Sequence, residues 1–209
     1  IVGPHLMIGA AETHAKVAAS DVAGRAIAAL PLLAGSIGDV QVRYRGTLGG
    51  SVANNDPAAD YPSAVLALDA IIETSDQTIA ADAYFDGLYT TTLEPGEILT
   101  QIRFRIPIAS GYAKMRNPAS RYALAATFVA RYEDSVRVAI TGAGGDGVFR
   151  WTAAEAALSV TFDPSALDDL TLDPDAMSDD MHASKDFRAH LAKICTQRAV
   201  ANMGKLTLG

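Results

Sequence analysis

The densest concentration of chemistry-bearing residues lies in Gly46-Thr47-Leu48-Gly49-Gly50-Ser51-Val52-Ala53-Asn54-Asn55-Asp56-Pro57-Ala58-Ala59-Asp60. A glycine pair stands between two hydroxyl residues, and Asn and Asp side chains follow within a few positions. Glycine lets backbone N–H groups approach a ligand closely, because no Cβ stands in the way. Consecutive N–H groups in such a turn form a concave anion site of the kind that suits a pyrophosphate. The same residues also suit an ordinary turn with Asn and Asp as turn formers, and local chemistry leaves both readings open. Neither G-x-G-x-x-G nor the Gly-Lys-Ser/Thr of a P-loop occurs here. A second glycine-rich stretch, Gly142-Ala143-Gly144-Gly145-Asp146-Gly147, reads as a loop in which Asp146 would oppose a bound phosphate.

Other reactive residues are sparse. The four histidines, at 5, 14, 182 and 190, show no metal-ligand spacing. The single cysteine, Cys195, cannot form an internal disulfide or hold an iron–sulfur cluster alone. It falls on an apolar helix face, which favours packing over nucleophilic chemistry. No G-x-S-x-G elbow and no Ser/His/Asp set stands out, so hydrolase chemistry has little support and no catalytic residue is assigned. Thr13 suits a helix cap just before His14. Tyr112, Lys114 and Arg116 alternate onto one face of a strand. A lysine on an otherwise exposed strand face is ordinarily only solvated.

The elements around these residues follow from periodicity and turn chemistry. The chain has 209 residues, 49% hydrophobic and 20% charged, a globular composition. Its net charge of −7 argues against nucleic acid and anionic membrane partners. No apolar run approaches the roughly 20 residues of a membrane span. Residues 1–5 carry no signal-peptide pattern, and with one cysteine a reducing cytoplasm is the expected location. Residues 5–10 predict a strand that opens the chain directly, as though inside a domain. Helices are expected over 13–20 and 24–37, with Pro31 marking a kink or a boundary between two short helices. A further helix is expected from 61 to 68, with Pro62 in its first turn. Strands are expected over 70–74, 77–81, 97–106, 111–115, 124–133 and 136–141. Helices are expected over 152–159 and 184–203, the last capped by Ser184. The Asp-rich segment 163–180 reads as a solvated loop.

In order, these motifs resemble the FAD-binding medium subunit of the molybdenum hydroxylases, the carbon monoxide dehydrogenase and xanthine dehydrogenase type. The resemblance rests on Ile8-Gly9-Ala10 with Thr13-His14, Gln41-Val42-Arg43 and Arg45-Gly46-Thr47-Leu48-Gly49-Gly50-Ser51. It continues through Asp56-Pro57-Ala58-Ala59-Asp60, Leu66 to Ala70, Gly96-Glu97-Ile98-Leu99 and Lys114 to Ala123. It ends with Thr152 to Ala157 and His182-Ala183-Ser184. The resemblance implies an α+β fold. Residues 1–106 would form the second subdomain of a vanillyl-alcohol-oxidase-like (PCMH-type) FAD-binding domain. Residues 107–209 would form an α+β C-terminal domain with an antiparallel sheet and helices.

By carry-over, Thr47, Leu48, Gly49, Gly50 and Ser51 would hold the FAD pyrophosphate, and Asp60 would bind flavin-side hydroxyls. Ile8, Ile37 and Ile98 would lie near the cofactor. Lys114 would sit by the pyrimidine edge of the flavin ring, where its charge would stabilise the reduced anion, and Tyr122 would lie over the ring face. The implied partners are a large subunit with a molybdenum cofactor, which would choose the substrate, and a small subunit with iron–sulfur clusters. The family also has a first FAD subdomain with an Ala-Gly-Gly loop, absent before Ile1, so this chain alone is expected to bind FAD weakly or not at all and to be inactive. Two other roles are compatible with the sequence: a stand-alone flavin reductase or oxidase of the same fold, and a cofactor-free scaffold subunit.

Overall fold

A computed structural model describes residues 1–203 and the backbone strand 206–208; positions 204, 205 and 209 of the expected C-terminal domain lie outside the described residues. The chain begins with strand β1 (His5–Gly9), which turns Leu6 and Ile8 inward. Five short helices follow: α1 (His14–Ala18), α2 (Asp21–Ala26), α3 (Ala29–Ser36), α4 (Val40–Arg45) and α5 (Leu48–Asn54). Side chains of Thr13, Ser20, Asp39 and Thr47 cap α1, α2, α4 and α5 respectively, each accepting from an N–H three residues on. Such caps satisfy donors that a helix start leaves without intrahelical partners. Pro31 marks a boundary, not a kink. Its ring lacks the N–H that would reach Ile27 and clashes with that carbonyl. Ile27 is accordingly extended (φ −144°), and the chain restarts as α3.

The stretch from 40 to 54 differs most from expectation. Residues 40–45 form a helix where none was expected, and the glycine-rich loop is in large part helix α5. Thr47 starts it, Leu48 and Val52 bury its inner face, and Asn55 ends it in the left-handed region (φ 44°). Glycine disfavours helix, but burial of the apolar pair outweighs that preference.

Helix α6 (Tyr61–Ala67) leads to β2 (Ile71–Thr74), β3 (Thr78–Ala80) and β4 (Leu99–Arg105). The first sheet is antiparallel in the order β1-β4-β2-β3, with Ile102 paired to both Ile8 and Ile72. The second contains β5 (Ala109–Arg116), β6 (Ala123–Arg131), β7 (Val136–Thr141), β8 (Phe149–Arg150) and β9 (Leu206–Leu208). Its order is β8-β7-β6-β5-β9, antiparallel except for β5–β9. Helices α7 (Thr152–Val160) and α8 (Lys185–Ala201) cover one face.

Both faces of this second sheet are covered. Ala113, Ala125 and Val129 pack against α8 in one core. Tyr112, Phe128 and Ala130 belong to the other core, with Leu30 and Leu33 of α3 and Tyr61, Ala64, Val65, Leu66 and Ala67 of α6. The strand face carrying Lys114 is therefore interior, not exposed as its alternation alone suggested. Arg137 of β7 ties the two parts: it donates to the Leu66 carbonyl and pairs with Asp69 (3.0 Å) and Asp82 (2.6 Å).

Segment 163–180 is largely exposed, as expected of a solvated loop, but it is not featureless. It forms turns at Pro164–Leu167 and Pro174–Ala176, buries Leu167, and is held by Lys193 and Gln197 of α8 through Asp168.

Candidate functional site

A cleft of about 700 Å³ opens between the α3–α4 corner, the start of α5, the 56–60 segment and the β5–β6 loop. Volumes of this order are typical of small-molecule sites. Ile37 forms part of its apolar wall; Thr47, Gly50 and Ser51 line the α5 side; Arg121 and Tyr122 come from the β5–β6 loop. Arg121 holds a positive φ of 65°, which a non-glycine residue adopts rarely and at some cost. Tyr122 is half-exposed, with its ring available to the cleft.

The α5 start does not work as a row of free N–H groups. The Leu48 N–H donates to the Glu12 carbonyl and the Gly49 N–H to the Ala10 carbonyl, both at 2.9 Å. The Gly50 N–H donates to Thr47 Oγ1, and the Ser51 N–H to the Thr47 carbonyl. The groups left to face a ligand are side chains: the hydroxyls of Thr47 and Ser51 and the amide of Asn54. Glycine at 49 has a packing reason instead, since a β-carbon there would lie 2.5 Å from that of Ala10. At Gly50 a β-carbon would come within 2.9 Å of Thr47 Oγ1, so glycine there spares the hydroxyl that caps α5 and lines the cleft.

The floor carries a buried charge cluster. Asp60 is 4% exposed and Lys114 1%. The Lys114 ammonium meets both carboxylate oxygens of Asp60, at 2.8 and 2.9 Å, and the Tyr112 hydroxyl donates to the same carboxylate. Burial, reinforced by the Asp60 charge, pushes the Tyr112 phenol well above its usual value, so it remains a donor. Only Asp60 of the three lines the cleft; Lys114 stands behind it.

Beside Asp60, the ring of Tyr61 packs at 5.3 Å from the imidazole of His14. His14 Nδ1 and the Tyr61 hydroxyl are both buried without a hydrogen-bond partner. An unsatisfied buried polar atom costs about 1–3 kcal/mol, and of these two residues only His14 lines the cleft.

The structure thus brings Ile37, Thr47, Gly50, Ser51, Asp60 and Tyr122 onto one cleft, with Lys114 one layer back. It does not bring Ile8, Leu48, Gly49 or Ile98 there. Ile8 points inward from β1 and borders a separate depression near the N-terminus. Leu48 and Gly49 are buried beneath α5. Ile98 is 66% exposed in the turn before β4. Sequence reasoning passed over His14 and Arg121 as site residues. His14 belonged to the Thr13-His14 pair of the family resemblance, but its own chemistry gave no signal beyond its place at a helix start. The 142–147 loop lies outside the cleft; its Gly142 N–H donates to the Pro57 carbonyl. Cys195 is fully buried, and burial pushes its thiol up to about 12, in keeping with packing.

With this geometry established, comparison with known proteins is decisive. A family profile described as the FAD binding domain in molybdopterin dehydrogenase matches residues 3–108. The chain belongs to this family. It is 30% identical to the carbon monoxide dehydrogenase medium chain of Afipia carboxidovorans over 95% of this chain and 74% of the relative. It is 30% identical to the nicotine 6-hydroxylase medium subunit of Paenarthrobacter nicotinovorans over 99% of this chain and 77% of that one. Among solved structures, CO dehydrogenase from Oligotropha carboxidovorans superposes with a TM-score of 0.84 at 28% identity, covering 95% of this chain and 76% of that one. Quinoline 2-oxidoreductase from Pseudomonas putida 86 gives 0.83 at 25% identity, covering 96% and 75%. The fold is the expected mixture of helices and antiparallel sheet. Among the described residues, no helix is long and apolar enough to cross a membrane.

Proposed function

We propose that this chain is the FAD-binding electron-transfer subunit of a molybdenum-containing hydroxylase or dehydrogenase. It would take electrons from the iron–sulfur clusters of a small partner subunit and pass them to an external acceptor. A large subunit with the molybdenum cofactor would carry out substrate oxidation. The relatives named as medium chains or subunits support this division of labour. Residues 1–106 would be the FAD-binding part and 107–209 the C-terminal domain.

The observation that carries the reading is the cleft at the start of α5, because its residues fit a dinucleotide. At about 700 Å³ it has room for a large ligand, and its lining combines the hydroxyl residues Thr47 and Ser51 with the cations Arg45 and Arg121. FAD supplies the redox chemistry when bound, while the protein positions it and tunes its surroundings. Thr47 and Ser51 would donate to the phosphates, Asp60 would accept from ligand hydroxyls, and Ile37 and Tyr122 would shield the ring from water. Lys114 and Tyr112 hold Asp60 in place from behind. Leu48 and Gly49 seat α5 against the core.

The test is co-expression of the full-length protein with its partner subunits, followed by flavin analysis of the purified assembly. Stoichiometric FAD is expected, and T47V/S51A should weaken it by at least tenfold, since each lost bond to a charged group is worth about 1.5–3 kcal/mol. An assembly that forms without flavin would instead support the scaffold role. A monomer that turns over substrate unaided would support the stand-alone flavoenzyme.

A further inference from the structure

His14 lines the cleft although its side chain is 5% exposed. Thr13 caps the helix that His14 opens, and the His14 N–H donates to the Gly46 carbonyl at 3.0 Å, so the backbone is anchored at the rim of the site. The imidazole is wedged between two elements. One of its faces meets the Tyr61 ring, and Nε2 stands so close to Gly46 that a β-carbon there would come within 2.5 Å of it. Glycine at 46 therefore makes room for the imidazole. Nδ1 has no partner. A buried imidazole is ordinarily fixed by a carbonyl or carboxylate on one of its nitrogens. Thr47 and Arg45 line the same cleft, and the Thr47 hydroxyl and the Arg45 guanidinium both have protons to donate, which suits a ligand oxygen there.

We propose that His14 is a further ligand-binding residue of this cleft, donating from Nε2 to a phosphate oxygen of the bound dinucleotide beside Gly46 and Thr47. The inference rests on the FAD reading and adds a residue to it. Burial holds the imidazole below its usual value; the Asp60 carboxylate opposes this and the Arg43 guanidinium reinforces it. The charged and titratable groups around it are Asp60 and Tyr61 at the start of α6, Arg43 and Arg45 on α4, and Asp39, Asp56 and Arg121 on the cleft walls. In the free protein the ring is neutral at neutral pH. An anion against Nε2 favours its protonation, so binding takes up a proton and tightens as pH falls toward the ordinary histidine value of about 6.5.

The test is calorimetric titration of the flavin-stripped, full-length protein with FAD, in two buffers of different ionisation heat at a pH of about 6.5. Proton uptake is expected for the wild type and is absent in H14Q, whose amide replaces the donor but does not titrate. H14Q should bind FAD within about threefold of wild type and H14L about tenfold more weakly, the loss of one bond to a charged group. Proton uptake that persists in H14Q overturns the proposal, as does H14L binding like wild type. If H14L fails to fold, the presence or absence of proton uptake in H14Q decides by itself. A wild type that takes up no FAD brings down the cofactor reading itself. A wild type that binds FAD with no change in either variant brings down only the role of His14.

Discussion

Replacing Lys114 by methionine tests the structure at its most consequential pair. The ammonium contacts both oxygens of Asp60, at 2.8 and 2.9 Å, with the two side chains 1% and 4% exposed. Methionine fills similar volume but leaves the Asp60 carboxylate facing the protein interior with only the Tyr112 hydroxyl against it. Removing one partner of a buried pair typically costs about 3–5 kcal/mol, chiefly because an uncompensated charge remains. For a chain of this length that corresponds to a fall in Tm of roughly 6–20 °C. The assay is equilibrium denaturation of K114M, D60N and D60N/K114M, with the shift in midpoint multiplied by the m-value giving each free-energy change. D60N strands the ammonium and should cost about as much as K114M. The double variant removes both charges and should lie well short of the sum, with a coupling of at least about 2 kcal/mol. Additive effects, or a K114M cost below about 1 kcal/mol, would refute the buried pair. A K114M protein of undiminished stability that had lost only FAD would restore Lys114 to direct contact with the cofactor.

Two further predictions concern the C-terminal half. A β-carbon at Gly111 would lie 2.0 Å from the Ala199 carbonyl oxygen, so G111A must push α8 off β5; denaturation should show a loss of about 1–3 kcal/mol. The control G9A, where nothing lies within 4 Å, should stay within about 0.5 kcal/mol of wild type. The Cys195 thiol, pushed up to about 12 by burial, should resist thiol-specific reagents at mildly alkaline pH until denaturant opens the fold. Because its folded value lies above the unfolded one, stability is complete below the unfolded value and falls as pH rises toward 12. Rapid labelling of the native protein would contradict the packing of α8 on β6.

What could be read without coordinates was what depends on near neighbours. Apolar runs, alternation and β-branched residues located all seven expected strands, because these patterns are local and a strand side chain's face repeats every two residues wherever it lies in the chain. Ser184 announced α8, and Pro31 announced a break whose cause lies only four residues away. The ordered motifs from Ile8 to Ser184 carried the family. Helix α5 was not legible, since its glycines speak for a turn and only burial of Leu48 and Val52 overrules them. The site was legible only in part for the same reason. Thr47, Ser51 and Asp60 stand in one run of sequence, but Asp60 and Lys114 are 54 residues apart. Nothing local says that α3 and α6 cover the strand face bearing Lys114. By its own chemistry His14 showed no more than a helix start, until folding set its imidazole against Gly46 and Tyr61. The sequence by itself determined most of the elements, the caps at Thr13 and Ser184, and the family. Tertiary structure alone decided which charges are buried together and which groups face the cleft, because burial is set by whatever distant chain comes to cover a face.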